Sequence, residues 1–211
     1  MKRMKDRIVA ATIKLMNELG TQKITTNHII DTLGISPGTL YYHFKNREEI
    51  IRAVFRSITE DFDALFVQNP ASGEIRELFQ VVGRIYRLYF TYRFFYLDLS
   101  MLLDRDPELA DAYRENYRNK KNKLRELFIG LEKQGLMKPF ESEDDRDLFL
   151  QNQWLINDYW LSFQKALGLS DAETMITNGI RGYMAFIREY LTPSGLKALT
   201  DTNLYKTRGL S

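Results

Sequence analysis

The stretch Ser36-Pro37-Gly38-Thr39-Leu40-Tyr41-Tyr42-His43-Phe44-Lys45-Asn46-Arg47 concentrates groups that can do recognition chemistry. Tyr and His offer donors to phosphate or base edges, and Thr39 adds a hydroxyl and a methyl that can meet a thymine methyl. Gly38 lets backbone approach a ligand closely. Lys45 and Arg47 supply cations just beyond. Tyr41 and Tyr42, taken as an isolated pair, read first as half-buried packing, and only the motif around them reverses that.

Catalytic chemistry has little to work with. The chain has no cysteine and two histidines, both near its basic end. There is no glycine-rich phosphate loop and no metal-ligand spacing, so no catalytic residue, metal or cofactor is expected and the chain does not read as an enzyme. Residues 1–52 hold nine Lys/Arg against five Asp/Glu, whereas the remainder holds 21 against 23. The basic end is therefore the one to meet a polyanion. No apolar run approaches the ~20 residues of a membrane span. Together with the lack of cysteine this predicts a cytoplasmic protein without membrane contact.

A 3.6-residue apolar period runs through nearly every segment, which predicts an all-α fold of about nine helices. The first covers about 3–19 with Ile8, Thr12, Leu15, Met16 and Leu19 on one face, and Gly20 stops it. Thr25 caps a second helix, on which Ile24 staples onto Ile29 and which Leu33-Gly34 ends. Ser36 caps a third, where Pro37 at the first position loses only an amide without a partner. Ile35, Leu40 and Phe44 form its inward side. Asn46 and Glu49 open a fourth helix, about 47–67, closed by Asn69-Pro70. Two short helices between longer ones make a helix-turn-helix, whose second member enters the major groove.

Gly34-Ile35-Ser36-Pro37-Gly38-Thr39-Leu40-Tyr41-Tyr42-His43-Phe44-Lys45-Asn46-Arg47-Glu48-Glu49-Ile50, with the Gly20 turn and Thr25-Thr26 followed by Ile29, resembles the DNA-binding domain of the tetracycline-repressor (TetR) family over residues about 5–53. The resemblance implies that Thr26, Asn27, Gly38, Thr39, Tyr41, Tyr42 and His43 sit at or near DNA-contact positions. It also implies that Arg47 occupies a common phosphate-contact position, with Lys45 close by. Family members often carry an acidic residue at the third position of the second helix. Here it is His28, which lacks a carboxylate for a reciprocal cap and reads as an exposed side chain rather than a phosphate contact.

Further helices are expected at about 73–91, 93–104, 106–135, 143–167 and 171–192, followed by a polar tail, 192–211. Helix 143–167 carries two apolar stripes, Leu148/Leu155/Tyr159 and Phe149/Ile156/Trp160/Phe163. One side suits the chain's own core and the other a second copy in a four-helix bundle, with Phe149, Ile156, Trp160, Phe163, Ile180, Tyr183 and Ile187 as the expected dimer interface. Aromatic walls with few polar groups suit a small-molecule pocket, but the same rings, taken one by one, read first as core; that some of them line a cavity is what the family resemblance implies. Its expected lining is Tyr86, Tyr89, Phe90, Phe95, Leu103, Tyr113, Tyr117, Trp154 and Asp158, and Asp158 either anchors the effector or pairs with Arg84 or Arg87.

Residues 1–50 are thus expected to form the DNA-binding domain and 51–211 the effector-binding and dimerisation domain. The expected function is a dimeric transcriptional regulator, a repressor released from a near-palindromic double-stranded operator by a small, largely apolar effector. The alternative is a constitutive or architectural DNA-binding dimer whose body is solid core.

Overall fold

The computed structural model describes residues 2–67 and 75–200. Among these residues the regular structure is helical, with eleven α-helices. They are α1 Lys2–Leu19, α2 Thr26–Leu33, α3 Pro37–His43, α4 Arg47–Val67, α5 Ile75–Thr91, α6 Arg93–Leu97, α7 Leu99–Arg105, α8 Pro107–Lys133, α9 Glu143–Ala166, α10 Ala172–Arg188 and α11 Pro193–Thr200. Two exceed the nine expected. The segment 93–104 is divided at Asp98, and Pro193–Thr200 forms a helix of its own. The expected stop at Asn69-Pro70, the start of the fifth helix at 73 and the tail beyond 200 lie outside the described residues.

The chain forms two compact units, whose boundaries fall inside α4, between α5 and α6, and inside α8. The first comprises residues 1–61 and 92–113, the second 62–91 and 114–211. In the first, α2 packs on α1 and α3, and Ile8, Met16, Ile29, Leu40, Phe44 and Ile50 are buried together. α6 rests on α1, where Asn17 Oδ1 accepts the backbone N–H of Phe94 at 3.1 Å. Phe95, fully buried, stacks on Phe55 at 5.4 Å. Arg52 of α4 holds Asp106 at 2.9 Å, and the same carboxylate caps α8 by accepting the N–H of Leu109.

In the second unit α10 packs on α5 and α9. Gly179 makes the approach possible, because a Cβ there would stand 2.5 Å from the Tyr86 ring and 2.8 Å from Trp160. An ion network joins α8 to α9 through Arg125 with Glu143 and Asp147, Lys121 with Asp147, and Arg146 with Glu132 and Glu143. No helix among the described residues is long and apolar enough to cross a membrane.

Candidate functional site

α3 is seven residues long, about one and a half turns too short to stand alone. Three local devices hold it. Ser36 Oγ accepts the Thr39 N–H at 3.1 Å, Pro37 occupies the first turn, and Leu40 with Phe44 anchors the inner face. Gly34 makes the preceding turn at φ 60°, a left-handed conformation that favours glycine. What remains outward is Ser36, Gly38, Tyr41 and Tyr42, with Tyr42 70% exposed. Asn27 and Lys45 are exposed on the flanks, and Thr26 and Thr39 are half-buried.

The hydroxyl groups of Thr26 and Tyr41 lie 3.3 Å apart, so the start of α2 and the outer side of α3 present one continuous polar surface. Thr39 is joined to Ser36 through their hydroxyls at 2.9 Å. His43 packs against the Tyr42 ring at 5.1 Å and buries an Nδ1 without a protein partner. The Lys5 ammonium lies over the inner Phe44 ring, 5.6 Å from its centroid.

Arg47 and His28 correct the sequence reading. The Arg47 guanidinium turns inward, donating to the carbonyls of Ile24 at 3.0 Å and Thr21 at 2.5 Å. Burial pulls its pKa below the ordinary guanidinium value, and Glu48 opposes that fall. It therefore locks the turn before α2 onto α4 rather than extending toward a phosphate. His28 completes the reciprocal cap that a carboxylate makes elsewhere, its Nδ1 accepting the Thr25 N–H at 3.1 Å beside the Thr25 hydroxyl at 3.0 Å.

The expected pocket residues divide between the two units. Phe95, Leu103 and Tyr113 belong to the first, and Phe95 there is core. Tyr86, Tyr89, Phe90, Tyr117, Trp154 and Asp158 belong to the second. Asp158 is 2% exposed and accepts the Tyr89 hydroxyl at 3.1 Å. Tyr86 donates to Asn157 Oδ1 at 3.0 Å, and burial raises its phenol pKa. Tyr117 meets Trp154 edge-on at 4.9 Å. Arg87, a proposed partner of Asp158, instead pairs with Glu173 at 2.9 Å.

Two residues of this cluster escaped the sequence reading. Phe62 stands edge-on to Tyr89 at 5.0 Å, and the Lys120 ammonium lies 4.8 Å above the Phe62 ring. Burial lowers the Lys120 pKa, while Asp63 and Asp158 act to raise it. Lys120 sits in the run Asn119-Lys120-Lys121-Asn122-Lys123, which reads as solvated charge. The only local sign was its spacing from Tyr117, three residues earlier on the same helix face.

The expected dimer residues are also redistributed. Phe149, Trp160 and Ile187 are buried within the chain, packed on Phe128, Tyr86 and the α5–α8 side of the unit. Ile156, Ile180 and Tyr183 are half-buried, and Phe163 is exposed. The outward stripe of α9 is Leu148, Leu155, Tyr159 and Phe163, continued by Leu167 at its C-cap. On α10, Gly182 and Ala185 are exposed, and a Cβ at Gly182 would meet open space.

Residues 8–54 match the family model described as bacterial regulatory proteins of the tetR family, and residues 50–199 match its companion, a bacterial transcriptional repressor. A TetR-family transcriptional regulator from Marinobacter aquaeolei VT8 superposes with a TM-score of 0.82 and 31% identity, covering 95% of this chain and 98% of the other. A TetR regulator from Haloarcula marismortui, at 14% identity, shares the fold with a TM-score of 0.74 over 91% and 100% of the two chains. The negative regulator of the biofilm operon icaADBC, IcaR of Staphylococcus epidermidis, is 29% identical over 110 residues, 52% of this chain and 58% of its own length. The class D tetracycline repressor of Escherichia coli is 34% identical over 70 residues, 33% of this chain and 31% of its own length. The chain thus spans less than two thirds of the length of these curated relatives. With a helix-turn-helix surface built from its own residues and both family models matched, the chain belongs to the TetR family of bacterial transcriptional regulators.

Proposed function

We propose that the chain acts as a dimeric repressor that reads a near-palindromic operator and leaves it on binding a small effector. Residues 1–50 carry the DNA-reading function, and 51–211 the effector and dimer functions. The carrying observation is the outer face of α3, where Tyr41 and Tyr42 are 49% and 70% exposed while Leu40 and Phe44 are buried. Two large exposed rings on a short, doubly anchored helix favour a ligand surface over packing, and the basic N-terminal end favours a polyanion.

Thr26, Asn27, Gly38, Thr39, Tyr41, Tyr42 and His43 are its proposed DNA-facing residues. Lys45 adds a phosphate contact, and Arg47 positions the motif from behind. A second copy is supported by the apolar stripe of α9 and by Gly182 and Ala185 on α10, small residues that permit close helix approach. A pair of recognition helices would then meet half-sites about 34–36 Å apart. The effector site is supported by the aromatic groups around Asp158, and α4, continuous through both units, is the covalent route from that site to α3. The effector must bind the two spacings of the dimer unequally, with a coupling of about 1–3 kcal/mol.

Selection of random duplex fragments by the purified protein, repeated with cell extracts, tests this. A near-palindromic consensus lost with an active extract is expected. Unselective binding, or a consensus indifferent to every extract, would favour the architectural alternative.

A further inference from the structure

We propose that the effector carries a cationic amine, which binds between the aromatic rings around Asp158 in the space that the aminobutyl side chain of Lys120 occupies. This rests on the reading of the second unit as the effector site, and it assigns the ligand's chemical class.

Four elements converge on this place. The end of α4 gives Phe62, α5 gives Tyr89, α8 gives Tyr117 and Lys120, and α9 gives Trp154 and Asp158. The Lys120 ammonium faces the Phe62 ring at 4.8 Å, Phe62 meets Tyr89 at 5.0 Å, and Tyr89 donates to Asp158 at 3.1 Å. Tyr117 and Trp154, in edge contact, lie one turn from Lys120 and Asp158 on the same faces of α8 and α9. Ring faces and a buried carboxylate both attract a positive charge that has left water. The protein fills this environment with its own cation, attached by a flexible four-carbon stem.

Lys120 also has somewhere else to go. Asp63 already attracts it, ahead of Asp158, and that carboxylate is half exposed and 3.6 Å from Lys123. An incoming amine can therefore take over Asp158 while Lys120 turns toward Asp63 and solvent, so that no buried charge is left alone. An anionic ligand would face Asp158 and Asp63 together. Two unpaired buried donors on α9, Gln153 Nε2 and Trp160 Nε1, favour an acceptor instead. Gln153 and Trp160 lie about 140° and 160° around α9 from Asp158, so both address other sides of the helix.

The test removes the internal cation and offers it back as a free molecule. In Lys120→Ala, n-butylammonium should raise the melting temperature, with an apparent affinity about tenfold or more above that of the wild type, where Lys120 competes. n-Butanol and butyrate should not. Adding Asp158→Asn to Lys120→Ala should abolish the rescue. Should Lys120→Ala fold poorly, recovery of helix on refolding with each of the three small molecules reads the same preference. Equal rescue by n-butanol, preference for butyrate, or rescue that survives Asp158→Asn would overturn the assignment. Amine binding that leaves operator affinity unchanged at saturation would retain the site and remove the effector reading. An extract that releases operator equally from wild type and Asp158→Asn would retain the effector reading and remove the amine.

Discussion

Arg47 donates its Nε–H to the carbonyl of Ile24 across 3.0 Å, tying the start of α4 to the turn before α2. The same guanidinium holds Thr21, so one side chain closes the back of the helix-turn-helix. Arg47→Ala should lower stability by about 1–3 kcal/mol, the cost of leaving half-buried carbonyls without their charged donor. Denaturant unfolding measures it. Its loss of DNA affinity should leave the salt dependence unchanged, whereas Lys45→Ala should reduce the slope of log affinity against log salt by about one. A smaller slope in Arg47→Ala would return it to the phosphate contacts.

His28 does the work of a carboxylate. Its Nδ1 caps α2 through the Thr25 N–H, so His28→Ala should cost about 1 kcal/mol of stability. His28→Asp should restore much of that loss, because aspartate presents an acceptor at the same position of the helix. Thermal unfolding of the three proteins decides; equal melting temperatures would deny the cap any energetic weight.

The two stripes of α9 make opposite predictions. Leu155→Glu and Phe163→Glu lie on the exposed stripe and should yield folded monomers on sizing. Trp160→Lys strikes the buried stripe beside Tyr86 and Gly179, and should unfold the second unit rather than merely separate copies. Folded dimers in both exposed-stripe variants would move the interface elsewhere.

Gly179 is held by its neighbours and not by its own backbone. An added methyl would stand 2.5 Å from the Tyr86 ring, so Gly179→Ala should cost about 1–3 kcal/mol by overpacking. Gly182→Ala, which meets open space within the chain, should leave monomer stability nearly unaltered while weakening dimers. Unfolding curves together with sizing separate the two effects.

The first four helices were legible because their signals are local. Ser36 accepts the Thr39 N–H, Pro37 opens α3 and Asn46 accepts the Glu49 N–H as their positions imply, while the Glu49 carboxylate reaches one residue further back, to the Lys45 N–H. The stripe of α9 that faces inward was not legible. Leu148/Leu155/Tyr159 and Phe149/Ile156/Trp160 are both apolar and differ by one residue in register, so periodicity alone does not choose between them. His28 was missed because an imidazole nitrogen can accept as a carboxylate does, and residue type conceals that. Lys120 was missed for the converse reason: a lysine among lysines looks solvated until Phe62, 58 positions earlier, is seen beneath it.

On the outer face of α3, the proposed DNA-reading surface, Tyr42 is the most exposed large residue. The most direct test titrates wild type and Tyr42→Ala against a selected operator by fluorescence anisotropy, with circular dichroism on the same samples. Tyr42→Ala should lose about tenfold or more in affinity at unchanged helix content, in keeping with ~1–3 kcal/mol per specific contact. Wild-type affinity in that variant would contradict that role for α3.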